Sequence, residues 1–255
     1  MMDYSVVIPA YNEEAYLPRT LAALKRSMAK TAQRGELIVV DNNSGDRTAD
    51  IARSHGARVV HEGINQISKA RNAGAAAAEG RHLIFVDADT LISARLLGAA
   101  LDHLASNAVC GGGSTIAPDK PLKPMLRHGL RLWNRLSVRF NVAAGSFIYC
   151  RRDGFRAVGG FSENVFVGEE LWFSLAYQKW GRCRGQSFRI LSHAPVVTST
   201  RKLEWFTRYQ TLLMLISMVF FPLISRNRNL CRYWYVRPSP AQNRADERPE
   251  GRKQP

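Results

Sequence analysis

Cysteine is scarce. The four in 255 residues, Cys110, Cys150, Cys183 and Cys231, lie far apart with no CxxC spacing. That argues against a zinc cluster and a disulfide framework, and a reducing cytosol is the compartment expected. No GxGxxG follows the first apolar run and no GxxxxGK[ST] occurs, so neither a dinucleotide fold nor a phosphate loop is expected. The first residues, Met1-Met2-Asp3-Tyr4, lack the basic-then-apolar pattern of a signal peptide. Acid is in deficit: 21 Asp+Glu face 36 Lys+Arg, a formal net charge of +15. Such a balance calls for an anionic partner, whether nucleic acid, an acidic membrane surface or a phosphorylated substrate. No RNA-binding motif with interleaved aromatics accompanies the charge, so nucleic acid is not the expected partner. The apolar stretch from Leu203 to Ile224 is interrupted by Arg208 and Pro222. It reads as a helix in the membrane interface or against the domain rather than a span.

What the chain does have is a strand–helix alternation. Ser5 to Pro9, Glu36 to Val40, Arg58 to His61 and His82 to Asp87 read as strands. Between them fall helices from Leu17 to about Ala29, from an Asp46 or Thr48 cap through His55, and from Ile67 to Ala78. That order is a doubly wound parallel sheet with helices on both faces. In such sheets ligands sit outside the carboxyl ends of the strands. Those ends carry Asp41, Asp87 and Asp89, with the small Ala88 leaving room for a ligand. Two hard oxygen donors one residue apart suit Mg²⁺ or Mn²⁺ shared with a diphosphate.

The second half is less regular. Ser93 to Ser106 is a helix, and Val109 to Ile116 is extended, its Gly111-Gly112-Gly113 marking close approach of backbone to something. Leu122 to Phe140 is a basic amphipathic helix, with Arg127, Arg131, Arg135 and Arg139 on one stripe that reads either as an ordinary solvated face or as a contact for an anionic headgroup. Gly145 to Cys150 is a strand, and Arg152 to Val158 a short helix. Val167-Gly168-Glu169-Glu170 opens a helix to about Trp180, and strand-like pieces follow at Phe188 to Leu191 and Val196 to Thr198. Acids at the first turn favour the helix dipole, and one held rigidly there is well placed as a general base.

Six segments in register resemble the family 2 glycosyltransferases, which have the GT-A fold. They are residues 5–14 (SVVIPAYNEE), 37–48 (LIVVDNNSGDRT), 69–74 (KARNAG), 85–89 (FVDAD), 159–161 (GGF) and 168–170 (GEE). The resemblance covers about residues 4 to 200 and implies a mixed, mainly parallel doubly wound sheet. It implies that Pro9, Ala10, Tyr11 and Glu13 line a nucleotide pocket and that Asp41 bonds the base. It puts Lys69 and Arg71 near the diphosphate, Asp87 at the ribose or metal, and Asp89 on the metal. Glu170 would be the base for the acceptor hydroxyl, with Glu169 a rival because the family often has Asp at that position. The Gln-x-x-Arg-Trp element of processive synthases is absent; residues 198–202 (TSTRK) stand there, and Arg201 could touch the diphosphate.

The function expected is thus inverting, metal-dependent transfer of a single sugar from a nucleoside-diphosphate sugar, by default a uridine one. The acceptor hydroxyl is unidentified and could be lipid-linked. Peripheral contact with the inner face of the cell membrane is expected. The rival readings are a GT-A-like nucleotidyltransferase and a non-enzymatic module binding RNA or acidic lipid. The organisation expected is a transferase domain over 1–200, with a nucleotide half to 92 and an acceptor half from 93. A basic, apolar segment (201–237) and a disordered tail (238–255) follow.

Overall fold

The computed structural model describes residues 2–165 and 167–201. Contacts within the chain delimit a unit Met1–Thr200, and a second begins at Arg201. The expectations for the apolar Leu203 to Ile224 stretch and for the tail lie outside the described residues. Among the described residues no helix is long and apolar enough to cross a membrane.

The first half is built as β1 (Tyr4–Ala10), α1 (Leu17–Met28), β2 (Gly35–Asp41), α2 (Thr48–Ser54), β3 (Arg58–His61), α3 (Ile67–Ala77) and β4 (His82–Val86). These strands are parallel in the order β3-β2-β1-β4. The second half adds β5 (Thr90–Leu91), α4 (Ala94–Ala105), β6 (Val109–Pro118), α5 (Pro124–Phe140), β7 (Phe147–Arg151), α6 (Arg152–Ala157), α7 (Glu169–Arg182) and β8 (Ser187–Thr198). Its strands extend the same sheet as β7-β6-β8-β5, with β7 antiparallel to both β4 and β6.

Three readings are corrected. The pieces read at 188–191 and 196–198 are one strand, β8, because its register shifts against β6 without breaking, between Ser114 and Ile116. The two-residue β5 was not expected: it is a short edge strand held by antiparallel pairing to β8 rather than by its own pattern. The helix after Asp41 starts with Arg47 in the cap position, while Asp46 accepts the Thr48 backbone N–H at 2.9 Å from outside.

Alternation along β1 divides the core in two, since successive side chains face opposite sides of a sheet. Val6 and Ile8 pack with Leu17, Leu21 and Leu24 of α1 and Leu96, Leu97 and Leu101 of α4. Val7 packs on the other face with Ala70 of α3, Phe85, Phe173 and Tyr177. On that face Phe85, Phe161, Phe173 and Tyr177 form a chain of rings with successive centroids 5.0, 4.6 and 5.2 Å apart, which fastens α7 to the sheet.

The glycine run of β6 does mark close approach. A Cβ on Gly112 would overlap the Arg189 carbonyl of β8 and stand 2.5 Å from the Tyr149 hydroxyl. That hydroxyl donates to the Arg189 carbonyl at 2.9 Å and meets His103 Nδ1 at 2.8 Å. Backbone cannot yield as a side chain can. Gly112→Ala is therefore expected to destabilise by about 3 kcal/mol, read from the urea midpoint, whereas Gly98→Ala, in open space inside α4, is expected to stabilise by up to about 1 kcal/mol.

Candidate active site

The site forms where β1, β2 and β4 end. Pro9 and Ala10 finish β1, both buried, and Tyr11 follows, partly exposed. The connections after β1 and β2 are laced together by polar groups. The Asn12 N–H donates to Ser44 Oγ at 3.0 Å, the Gly45 N–H to Asn12 Oδ1 at 2.8 Å, and the N–H of the buried Glu13 to Thr48 Oγ1 at 2.8 Å. Asn12 and Asn43 take φ of 51° and 64°, the left-handed region that asparagine tolerates better than other side chains. Asp41 closes β2 with Oδ1 accepting the Ser44 N–H at 3.1 Å and Oδ2 lying 3.5 Å from His61 Nδ1.

Past β4 the chain turns at Asp87, Ala88 and Asp89. The Thr90 N–H returns to the Asp87 carbonyl at 3.1 Å, and the Asp89 carbonyl accepts the Ser199 N–H at 3.3 Å. Ala88 is buried, and the two aspartates are partly exposed.

The centre of the arrangement is Arg71 on α3, its side chain 1% exposed. Its Nη1 donates to Glu169 Oε1 at 2.5 Å, and its Nη2 to Asp87 Oδ1 at 3.0 Å and to the Gly145 carbonyl at 2.9 Å. Burial alone would pull this guanidinium down, but Glu169 and then Asp87 carry it above its ordinary value, so it stays charged. One planar fork thus joins the turn after β4, the loop before β7 and the start of α7.

The rest of α3 reaches the same side. Gln66 donates to the Glu163 and Val165 carbonyls at 2.8 and 3.2 Å, and Lys69 Nζ pairs with Glu163 Oε2 at 2.9 Å. Asn72 both donates to the Phe161 carbonyl and accepts its N–H, each at 2.9 Å. Gly159 and Gly160, at φ 80° and 71°, make the turn that brings Phe161 there. The sequence reading singled out Lys69 and Arg71 and missed Gln66 and Asn72. The signal was present: 66, 69 and 72 fall three apart and so on one face of an alanine-rich helix.

Glu169 and Glu170 differ sharply although adjacent. Glu169 is buried and held by Arg71. Glu170 is partly exposed as a residue but its carboxyl is enclosed, and no described side chain hydrogen-bonds it. Burial first, then the Glu169 charge, push its carboxyl up to about 8 against the pull of Arg71. Among the described residues no group of three or more His, Cys, Asp or Glu gathers as a metal site. The residues at hand are the two oxygen-donor side chains Asp87 and Asp89. Mg²⁺ and Mn²⁺ fit such a pair when substrate phosphates and water complete the shell. Arg201 opens the second unit.

A doubly wound sheet with acids at its strand ends, faced by an acid-bearing helix of the second half, is the GT-A architecture of glycosyltransferases. The chain belongs to glycosyl transferase family 2, whose family model matches residues 5–159. It is 44% identical over 92 residues to a 4,4'-diaponeurosporenoate glycosyltransferase of Staphylococcus haemolyticus, covering 33% of this chain and 24% of that one. It is 30% identical over 108 residues to an uncharacterized glycosyltransferase, EpsJ, of Bacillus subtilis, covering 40% and 30%. The match therefore spans about a quarter to a third of those relatives' lengths. Among solved structures, S. aureus TarS residues 1–349 in complex with UDP-GlcNAc overlays with a TM-score of 0.61 at 20% identity, covering 78% of this chain and 59% of that one. Mannosyltransferase PcManGT of Pyrobaculum calidifontis, with GDP-Man and Mn²⁺, gives 0.60 at 20%, covering 82% and 59%. At these identities the overlays establish the fold.

Proposed function

We propose that this glycosyltransferase moves one sugar, with inversion, from a nucleoside-diphosphate sugar to a hydroxyl acceptor, in peripheral contact with a membrane. The observation that carries the reading is the Arg71 fork. It ties Asp87, at the donor edge, to Glu169, whose neighbour Glu170 is the carboxylate left for the acceptor.

Pro9, Ala10, Tyr11 and Glu13 line the nucleotide's place and Asp41 receives its base. Asp87 and Asp89 would hold a divalent cation, which when bound would offset charge on the departing nucleoside diphosphate. Arg71 is a positioning residue here, buried and committed to Asp87 and Glu169, and Lys69 acts through Glu163 on the loop before α7. Glu169 fixes the start of α7, and Glu170 takes the acceptor proton. The freed oxygen attacks the anomeric carbon as the bond from that carbon to the phosphate oxygen breaks. The electron pair leaves on the diphosphate. Residues 198–202 in place of a processive element support one transfer per encounter.

TarS was solved with UDP-GlcNAc and PcManGT with GDP-Man, so uridine and guanosine diphosphates are the first probes. A ligand at a hundred times its Kd adds about 2.7 kcal/mol to stability. The melting temperature of the full chain is expected to rise by roughly 5–10 °C with one of these nucleotides and Mn²⁺. Chelator, or Asp89→Ala, removes that shift. No response to any diphosphate nucleotide overturns the reading, and an equal response in chelator removes the metal from it.

A further inference from the structure

Helix α5 has seventeen residues, and Ser137 is the buried one. At 100° per residue, Leu126, Leu130, Trp133 and Ser137 form one face, turned to β6 and β8. Asn134 beside them bonds both backbone groups of Ile116, at 3.0 and 2.9 Å. Met125, Leu132, Leu136 and Phe140 form the adjoining flank, 62, 56, 43 and 59% exposed. Beyond them Arg127, Arg131, Arg135 and Arg139 make an exposed stripe, and the helix holds no acid at all.

Large apolar side chains in a row at the surface mark a contact. The arginine stripe beside them selects its chemistry. An apolar partner such as the chain's own Leu212 to Phe221 stretch would leave four guanidiniums unanswered. A second copy packed face to face on this helix would set arginine against arginine. An anionic bilayer answers both stripes, taking the leucines into the acyl boundary and the arginines among the phosphates.

We propose that the Met125–Phe140 flank of α5 docks this protein onto an anionic bilayer surface. This assigns a surface to the membrane contact of the preceding reading and rests on that reading for its purpose. The end of α5 is clamped to the helix that carries Glu170. Gln178 of α7 donates to the Phe140 and Asn141 carbonyls at 3.2 and 2.7 Å, and the Ala143 N–H donates to Ser174 Oγ at 3.1 Å. Two residues on, Gly145 gives its carbonyl to Arg71. A bilayer met by α5 is therefore in direct mechanical register with the acceptor side of the site.

The test is co-sedimentation of the full chain with phosphatidylcholine vesicles, with and without phosphatidylglycerol. Binding is expected with phosphatidylglycerol only, weakening as salt rises. Leu132→Glu/Leu136→Glu is expected to lose binding by on the order of tenfold or more. Arg131→Ser/Arg135→Ser should lose roughly fivefold per arginine and flatten the salt dependence. Both variants must keep the wild-type melting temperature and its nucleotide-induced shift, which separates loss of docking from loss of the fold or donor site. Wild-type binding by Leu132→Glu/Leu136→Glu overturns the proposal and moves the contact elsewhere in the chain. So does a wild-type dimer in lipid-free solution that this variant converts to monomer. If the wild type ignores the vesicles yet shows the nucleotide shift, the docking fails and the transferase reading stands.

Discussion

Glu170→Gln is expected to cut turnover about a thousandfold, roughly 4 kcal/mol of transition-state stabilisation, while the nucleotide-induced thermal shift stays intact. Glutamine keeps size and polarity and removes only the acceptance of a proton. A variant that turns over at the wild-type rate would remove Glu170 as the base. The wild-type pH profile is the companion measurement. With its carboxyl pushed up to about 8, Glu170 is largely protonated at neutral pH, so kcat/KM is expected to climb through pH 7, reach half its plateau near 8 and level off about one unit above that. Stability should move the opposite way. The folded state holds a proton that the unfolded chain, near 4.5, releases, so this contribution is present below 4.5 and lost as pH rises through about 8. His82, pulled down to about 4 by burial and by Arg151 and Arg81, acts below 6.5 with the reverse slope. The informative window is thus pH 7 to 8.5, where Glu170→Gln should flatten the decline of melting temperature with pH.

Arg71→Met is the second large effect. The side chain nearly fills the volume of arginine, so what is lost is charge and the hydrogen-bonding fork. Glu169 would be left buried against nothing, and Asp87 and the Gly145 carbonyl would lose their donor. Removing one partner of a buried ion pair costs about 3–5 kcal/mol, here a fall of roughly 10 °C in melting temperature. Adding Glu169→Gln should return part of that loss, since the orphaned charge goes with it, and the coupling is read from the double-mutant cycle in urea. Arg71→Lys restores charge without the planar fork and is expected to recover stability more than turnover. If Arg71→Met melts with the wild type, the network is not what positions Glu169.

The first four strands and their helices were legible because each is one run of apolar residues with turn formers at both ends. The motifs in register carried the family; the family model matches residues 5–159, which takes in the one at 85–89 and stops short of the one at 168–170. Less legible was whatever depends on partners distant in sequence. β5 exists through its pairing with β8, more than a hundred residues on, with Thr90 opposite Thr198. Arg71 looked like a helix cation facing an anion. Its burial is set by Asp87, Gly145 and Glu169, three points no local pattern connects. The asymmetry between Glu169 and Glu170 is likewise invisible in the pair of letters. It arises because successive helical residues turn by about 100°, which hands one carboxylate to Arg71 and leaves the other beside the site.

The antiparallel insertion of β7 between β4 and β6 has a mechanical consequence. The two halves of this sheet are not two lobes joined by a linker. They share one continuous slab, stitched from His82 opposite Arg151 to Val86 opposite Phe147. A hinge between them would have to tear the middle of the sheet, so any movement around the proposed site falls to the ribbons at the slab's rim. Those are the chain between Ala10 and Leu17, the chain between Asp41 and Thr48, and the approach to Glu169.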